Sequence, residues 1–366
     1  MEIITLGELF DFINGTTKLP KTYKENGTVS FINYKDVLNS SVILKPKELI
    51  SIFEHINYDK HNVEYDDLLI TSTSETPKDV GIVSIYQGKE KTLLNGFCRI
   101  MRLKMKDKII PKYAFYLLKT DLLRKQICNS SNGITRYNIL WKSLKKISIK
   151  LVNLKYQQDI ISIIEPFENL NNSIINLIFK LKIIYLNIIN NHFSSRGLMR
   201  DNEIIFKKGI NFNRDMLSNN KEGICFINVS AINNNANKFI KNNYKELINT
   251  KIGDIILSLD ANVGLVNNFL FGINGYGFKV FSKNEKFKNY QIYFSLLNKF
   301  NQQIMQKFAT GTTIKHANRA KNHLILLDFL SWNKFLKLIY EYEIKLKMMS
   351  EKIKLIISNL IKLLVK

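Results

Sequence analysis

The chain of 366 residues contains only three cysteines, and they lie far apart at Cys98, Cys128 and Cys225. No two of them form a CxxC pair, and no histidine stands near them at the spacing of zinc ligands. A disulfide framework or a structural metal site is therefore not expected, and a reducing compartment fits the sequence. We predict that the protein binds no metal and is cytoplasmic.

Long uninterrupted apolar runs are also missing. Lys180, Lys182 and two asparagines interrupt the most apolar stretch, around residues 174–189, so this stretch is not expected to span a bilayer. Three carboxylates within the first dozen residues are not typical of a signal peptide. Both observations support the prediction of a cytoplasmic protein.

Proline is scarce, and its placement bears on catalysis. The five prolines never occur as a pair and none is followed by aspartate. The (N/D)PP(Y/F) loop of amino-methyltransferases and the usual PD…(D/E)xK spelling of nucleases are therefore both missing. Gly88–Lys89 is followed by Glu90, which rules out a P-loop, and the isolated pair Gly275 and Gly277 is more typical of a turn than of a nucleotide site. We predict a chain with no catalytic residues and no cofactor of its own.

Positive charge is abundant, with 54 Lys and Arg against 31 Asp and Glu and a net charge of +23. Residues 1–155 carry +9, residues 156–193 carry −1, residues 194–330 carry +10 and residues 331–366 carry +5. Two basic bodies on either side of a nearly neutral segment suggest two footprints on a polyanion. An AT-rich codon usage could account for this composition, but the positive field is the same in either case.

Two stretches have apolar residues at alternating steps of three and four, which is the pattern of a coiled-coil helix. Because proline fits the first turn of a helix better than its interior, the first long helix is expected to begin at Pro166, after a short helix at 156–164. Each helix is the most obvious partner of the other, with separate packing of each helix on a globular core as the alternative. The predicted seam consists of Phe167, Leu170, Ile174, Leu177, Leu181, Ile184 and Ile188 in the first helix and of Tyr342, Leu346, Met349, Ile353, Ile356 and Leu360 in the second.

The order of segments in the first half of the chain returns in the second half. FIN at 31–33 matches FIN at 226–228, DDLLITSTS at 66–74 matches GDIILSLD at 253–260, and DVGIVSIY at 79–86 matches NVGLVNNF at 262–269. A helical segment, a polar turn and a returning strand then follow in each copy. The first copy opens with LGELFDFING at 6–15, which we interpret as a short helix capped by Gly15. The sequence thus predicts two copies of one domain, each followed by a long helix.

Residues able to contact nucleic acid collect in the polar turn of each copy. Arg, Asn and His side chains can bind base edges, whereas Lys and Thr side chains suit phosphates. An ordinary solvated turn or strand face is the alternative at every position. The candidate DNA-binding residues are Arg136, Tyr137, Asn138, Lys315, His316, Asn318 and Arg319 in the turns, Arg102 and Lys104 on a strand face, and Ser72, Ser74 and Ser258 at strand ends.

Three stretches of the chain are motifs of one known family, namely LGELFDFING at 6–15, YQQDIISIIEPFENLNNSI at 156–174 and GTTIKH at 311–316. With these motifs the whole chain resembles the specificity subunits of type I restriction–modification enzymes, whose helical spacer is similar to residues 156–174. The first copy has NGITRY in place of GTTIKH, and the second spacer begins with SWNKFLKLI and lacks the QQ pair.

The resemblance implies a mixed α/β fold with two similar target-recognition domains, at 1–155 and 194–330. Two long antiparallel coiled-coil helices, at 156–193 and 331–366, would separate them in a pseudo-twofold internal repeat. It further implies a non-catalytic subunit that binds double-stranded DNA, two methyltransferase subunits and, in some systems, restriction subunits. S-adenosylmethionine, ATP and magnesium would belong to those partner subunits.

Geometry predicts a target in two unlike parts with a gap between them. A helix of about 28 residues spans about 42 Å, or around 12 base pairs of DNA. After subtraction of the bases that each domain covers, an unread spacer of about 5–8 base pairs is expected. The alternative function is that of a non-catalytic adaptor whose two basic domains bind RNA or protein without reading a DNA sequence.

Overall fold

The computed structural model describes residues 2–16, 29–44, 48–50, 61–77, 79–218, 223–234, 236, 238–312 and 314–365. The chain forms two compact units, each of mixed α/β structure. The first unit combines Met1–Asn169 with Ile353–Lys366, and the second consists of Leu170–Lys352. The boundary therefore falls inside both long helices.

The described part of the first unit contains fourteen short strands and the greater number of the helices. The strands are β1 (Glu2–Thr5), β2 (Phe10–Asn14), β3 (Val29–Ile32), β4 (Val42–Ile43), β5 (Glu48–Ile50), β6 (Asn62–Val63), β7 (Leu68–Thr71), β8 (Thr73–Ser74), β9 (Val83–Tyr86), β10 (Thr92–Leu94), β11 (Cys98–Leu103), β12 (Ser131–Asn132), β13 (Tyr137–Ile139) and β14 (Ser148–Leu151). The helices are α1 (Leu6–Leu9), α2 (Tyr34–Asn39), α3 (Pro111–Leu118), α4 (Asp121–Asn129), α5 (Trp141–Lys145) and the beginning of α6 (Leu154–Asn191).

The second unit contains the remaining elements among its described residues. Its strands are β15 (Ser194–Leu198), β16 (Ile204–Lys208), β17 (Ile224–Ile227), β18 (Phe239–Ile240), β19 (Ile255–Leu257), β20 (Val266–Asn267), β21 (Ile273–Asn274), β22 (Phe278–Ser282) and β23 (Ile325–Asp328). Its helices are the rest of α6, then α7 (Val229–Ile232), α8 (Asn289–Leu297), α9 (Lys299–Lys307) and most of α10 (Asn333–Leu364).

The predicted internal repeat is confirmed by the sheet topology. The first unit has the strand order β2-β11-β7-β9, with β4 added at the edge, and the second has β16-β22-β19-β20. Two parallel pairs also correspond, β3 with β10 and β17 with β21. In each unit the first strand pairs antiparallel with the last, β1 with β14 and β15 with β23. The same connectivity occurs twice, so two copies of one fold are present.

Each unit is built around its own hydrophobic core. Both faces of β7 and β9 are fully buried, which explains why LLIT and VSIY are nearly continuous apolar runs. Helix α3 begins at Pro111, where a missing N–H costs nothing, and packs its aromatic residues into the first core. Helix α8 likewise packs aromatic residues into the core of the second unit, where Phe294 is fully buried.

The opening segment LGELFDFING differs from the prediction. Helix α1 ends at Leu9, and the chain then continues as β2, which pairs with β11. A capping box between Thr5 and Glu8 explains why this single turn forms. Gly15 is not a helix cap: a side chain there would lie 2.2 Å from the carbonyl oxygen of Asn95, so the residue permits close approach of two backbones.

The predicted break at Pro166 is wrong, because α6 runs without interruption from Leu154 to Asn191. Proline removes one helical hydrogen bond, that to the carbonyl of Ser162. Pro166 lies on the exposed side of the helix, where water can reach this carbonyl group. Burial of neighbouring turns in the first core keeps the helix continuous, since Ile160, Ile161 and Ile164 are all buried there.

Seven of the thirteen predicted seam residues are buried or half-buried, and the six exposed ones alternate with them along the helices. Buried or half-buried seam positions are Phe167, Ile174, Leu181, Ile188, Leu346, Ile353 and Leu360. The alternate positions are exposed, namely Leu170, Leu177, Ile184, Tyr342, Met349 and Ile356. In each exposed case the following residue is buried or half-buried instead, as at Ile178, Tyr185, Glu343 and Ser350. The long helices bury a face turned toward the domain cores, and a two-helix pattern alone does not predict that rotation.

The two long helices contact each other in antiparallel order within each unit. In the first unit the hydroxyl of Tyr156 donates to the carbonyl of Leu364 at 3.3 Å. In the second unit Ser350 donates to the side-chain oxygen of Asn171 at 2.7 Å, and the rings of His192 and Trp332 lie 5.7 Å apart. The predicted pairing of the helices is confirmed.

By length and composition alone α6 could cross a bilayer, contrary to the expectation from its interrupting lysines and asparagines. Its two ends nevertheless belong to protein cores. Ile160 and Ile164 pack in the first core, and Tyr185 and Ile189 pack in the second.

Candidate nucleic-acid interface

The polar turn of the first unit is a tight hairpin. Strands β12 and β13 pair with Asn132 opposite Asn138, and Gly133 sits at the turn with φ +146°. A side chain at Gly133 would lie 2.0 Å from the carbonyl oxygen of Arg136, so only glycine fits. Arg136 and Asn138 are exposed and Tyr137 is half-buried. The hairpin therefore presents a cation and an amide to solvent.

The second unit contains a hairpin of the same geometry. Thr310 and His316 pair through two backbone hydrogen bonds of 3.0 and 2.8 Å. Gly311 has φ +109°, and a side chain there would lie 2.3 Å from the carbonyl oxygen of Ile314. Lys315 and His316 are both exposed. Thr313 lies outside the described residues. The glycine and the carbonyl three residues later are thus in contact in both copies.

The two hairpins correspond position by position when the glycines are superimposed in sequence. Tyr137 then corresponds to Lys315 and Asn138 to His316. Asn138 and His316 each pair with the residue before the turn glycine of their own hairpin. The backbone is shared while the exposed side chains differ. Different side chains on one frame are what two domains that read different base sequences require.

A carboxylate holds the histidine of the second hairpin. Nδ1 of His316 lies 2.8 Å from Oδ1 of Asp260, and the two residues also form an isolated β-bridge. With Nδ1–H donated to the carboxylate, Nε2 of a neutral ring is the free acceptor. The side chain of His316 is 60% exposed, so Nε2 can accept a hydrogen bond from an exocyclic amino group of adenine or cytosine.

Each hairpin carries an apolar residue near its tip that the sequence reasoning missed. Ile134 is 92% exposed and Ile314 is 54% exposed. An isoleucine can contact a thymine methyl group or a base step. The sequence carries a signal for these residues, since both turns contain a β-branched apolar residue between the glycine and the basic residues.

The three serines predicted to contact DNA are buried or half-buried. Ser258 is 2% exposed and donates its hydroxyl hydrogen to the carbonyl of Asp260 at 2.8 Å. Ser74 is buried and accepts from the backbone N–H of Thr76. The hydroxyl oxygen of Ser72 is buried as well. Ser258 and Ser74 thus form hydrogen bonds within their own segments, and direct DNA contact by the three serines stays a prediction.

The strand face of Arg102 and Lys104 is also engaged within the protein. Arg102 donates to both carboxylate oxygens of Asp67, at 3.0 and 2.7 Å, and forms an ion pair of 2.6 Å with Glu64. The hydrogen bonds to Asp67 raise the pKa of Arg102. Lys104 donates to the carbonyl of Gly7 at 2.8 Å. Arg102 thus neutralises a buried carboxylate, and DNA contact by Arg102 and Lys104 stays a prediction.

Asn318 and Arg319 directly follow the second hairpin in a short 3-10 turn from Asn318 to Asn322. Both side chains are exposed, and Ala320 between them and the core is fully buried. The turn therefore extends the exposed polar surface of the second hairpin by one amide and one guanidinium group.

Comparison with known proteins relates the first half of the chain to one family. Residues 1–180 match the family model of the type I restriction modification DNA specificity domain. The match covers 180 of the 366 residues, just under half of the chain. The second unit repeats the topology of this specificity domain, as the strand orders above establish.

Individual relatives are more distant. The chain is 27% identical over 150 residues to the putative type I restriction enzyme MjaX specificity subunit of Methanocaldococcus jannaschii, a match that covers 40% of this chain and 31% of that relative. The chain thus spans less than a third of the length of this curated relative.

Among solved structures, the S subunit of a type I restriction–modification system from M. genitalium shares the fold. Its TM-score is 0.50 at 14% identity, with 99% of this chain and 95% of that chain covered. The HsdS subunit from Thermoanaerobacter tengcongensis aligns with a TM-score of 0.36 at 14% identity, over 100% of this chain and 95% of that chain.

Proposed function

We propose that the chain is the DNA-recognition subunit of a type I restriction–modification system. The observation that carries this proposal is the repeated hairpin, which presents different exposed side chains on the same backbone in two copies of a specificity domain. The first hairpin would read one half of the target through Arg136 and Asn138. The second would read the other half through Lys315 and His316.

Sequence discrimination would come from the hairpins and general affinity from the positive charge. A bidentate contact between an arginine or amide side chain and a base edge contributes about 1–3 kcal/mol of discrimination. The net charge of +23 provides a field that attracts the phosphate backbone of any sequence and makes binding strongly dependent on salt. Loss of a hairpin side chain should therefore weaken specificity more than general affinity.

The chain itself would catalyse no reaction. Methyl transfer from S-adenosylmethionine would belong to two methyltransferase subunits, and ATP-dependent translocation and cleavage to restriction subunits in systems that contain them. The expected compartment is the cytoplasm, where these partners and the DNA are found.

The exposed seam positions supply a surface for such partners. In the second unit α6 exposes Leu170, Leu177 and Ile184, and α10 exposes Tyr342 and Met349. Residues in these registers repeat every seven positions along each helix, so they line one side of it. A helix of a methyltransferase subunit could pack on such an apolar row.

The test is selection from a random duplex pool by the chain in complex with the methyltransferase encoded beside it. The selected duplex should outcompete bulk RNA and unrelated duplex for the complex, and the chain alone should not turn over S-adenosylmethionine. Equal competition by bulk RNA would favour the alternative, an adaptor that binds nucleic acid without reading a DNA sequence.

A matched pair of variants links the result to the hairpins. His316→Ala should reduce the preference for the selected duplex, while Lys238→Ala, an exposed lysine of the same unit away from the hairpin, should retain it. If both variants keep the full preference, the second hairpin does not read DNA.

A further inference from the structure

A large cleft in the second unit is lined by lysines and lies away from the hairpin. It has a volume of about 970 Å³ and contains six lysines, namely Lys207, Lys208, Lys251, Lys279, Lys288 and Lys337. Three carboxylates also line it, those of Asp254, Glu285 and Glu341, so its net charge is +3. The lysines come from two strands, a loop, a helix start and the long helix α10.

One of these lysines is fully accounted for by the fold. Lys279 forms an ion pair of 2.7 Å with the buried carboxylate of Asp254 and donates to the carbonyl of Asn249. The same loop is fixed from two sides, because Tyr340 and Asn289 both donate to the carbonyl of Gly253 at 2.9 and 2.8 Å. The floor of the cleft is therefore held in place.

The other five lysines have no ion pair with the described part of the chain. Lys207 in particular stands directly opposite Lys279 on the neighbouring antiparallel strand. Like charges at opposed positions destabilise a sheet. Asp254 neutralises Lys279, but Lys207 has no ion pair with the described residues. An anionic ligand in the cleft would supply the charge that Lys207 lacks.

The cleft and the hairpin contact opposite ends of one strand. Asp254, at the cleft, precedes β19, and Asp260, at the hairpin, follows it. Six residues of extended chain separate these two carboxylates by roughly 20 Å. The cleft is thus a second basic site and not an extension of the base-reading surface.

We propose that this cleft binds phosphate groups through Lys207, Lys208, Lys251, Lys288 and Lys337. Lysine ammonium groups suit phosphate as point charges, and a concave site of this volume can hold more than one phosphate. The phosphates can belong to the DNA backbone or to a free nucleoside triphosphate. Binding of DNA phosphates in the cleft rests on the proposed function, whereas binding of a free nucleoside triphosphate does not.

The experiment compares the full-length double variant Lys207→Gln/Lys208→Gln with the control Lys238→Gln/Lys245→Gln. Both remove two exposed positive charges from the same unit, but the control lysines lie outside the cleft. Thermal melting first establishes that both variants fold. Binding is then measured by fluorescence anisotropy, with a random-sequence 30-base-pair duplex in one arm and a fluorescent ATP analogue in the other.

If the ligand is DNA, the cleft variant binds the duplex more weakly than the control does. Its negative slope of log K against log salt also becomes shallower by about 1 for each lysine removed. If the ligand is a nucleotide, only binding of the ATP analogue is lost. Equal binding by cleft and control variants in both arms overturns the proposal.

The experiment can refute phosphate binding by the cleft and sequence reading by the hairpins independently of each other. The cleft variant should lose affinity for all duplex sequences alike and keep the preference that the hairpins confer. Loss of sequence preference in His316→Ala with an unchanged cleft variant would refute the cleft alone. A cleft effect without any sequence preference in the wild-type complex would refute the reading function alone.

Discussion

A buried ion pair fastens α6 to the first unit, and breaking it gives a prediction with a defined size. Nζ of Lys112 on α3 lies 2.6 Å from Oε2 of Glu168 on α6, with side chains that are 9% and 8% exposed. The hydroxyl of Tyr116 donates to the same carboxylate oxygen at 2.9 Å. Glu168→Ala would leave a buried ammonium group without a counter-ion and a buried hydroxyl without an acceptor.

The expected cost of Glu168→Ala is about 3–5 kcal/mol in the free energy of unfolding of the first unit, because an uncompensated buried charge is left behind. The double variant Lys112→Met/Glu168→Leu removes both charges and should recover most of this loss. Glu2 and Lys108 form a control pair with the same 2.6 Å separation but exposed side chains. Glu2→Ala should therefore have a much smaller effect.

The assay uses the two tryptophans, one in each unit. Trp332→Phe leaves Trp141 as the only tryptophan, so its fluorescence during urea unfolding reports the first unit. The variants are compared in this background at neutral pH. If Glu168→Ala costs no more than Glu2→Ala, or if the double variant is as unstable as the single one, the buried pair does not hold the helix.

Three further predictions concern the helices and the hairpins. Ile353→Asp should lower the melting temperature of the first unit, because Ile353 is buried. Ile356→Asp should leave the melting temperature nearly unchanged and weaken methyltransferase binding in a pull-down, because Ile356 is exposed. Equal melting temperatures of the two variants would contradict the observed seam. Gly133→Ala should distort the first hairpin and weaken binding of the selected duplex without a change in circular dichroism, and full binding would show that this turn is not used. Asp260→Asn should alter the base preference at one position by about 1–3 kcal/mol, because His316 loses the carboxylate that fixes its tautomer. Competition between duplexes measures this preference. An unchanged preference would show that His316 does not contact a base.

The repeat and its elements were predictable because they depend on local patterns. Buried strands such as β7 and β19 are short apolar runs that follow an acidic turn, and α3 begins at a proline. The hairpins were predictable from glycines followed by polar residues. Their shared geometry could not be predicted, because it depends on a contact between Gly133 and the carbonyl of Arg136 that no spacing rule specifies.

The rotation of the long helices and the roles of several polar residues depend on tertiary contacts. The heptad pattern does not show which side faces a domain core, so Leu177 was expected to be buried, whereas the adjacent Ile178 is the less exposed of the two. Arg102 and Ser258 were predicted to contact DNA because they are polar residues on or near strands. In the structure Arg102 donates hydrogen bonds to Asp67, and Ser258 donates one to the carbonyl of Asp260. Burial of polar partners cannot be inferred from residue type.

The central claim, that two unlike hairpins read two unlike half-sites, is tested most directly by methylome sequencing of cells that express this chain with its neighbouring methyltransferase. We predict one asymmetric motif of two short specific parts separated by an unread gap of about 5–8 base pairs. An exchange of residues 310–316 for residues 132–138 should change one part only and leave the other part and the gap intact. A continuous palindromic motif, or an exchange that alters both parts, would contradict the account.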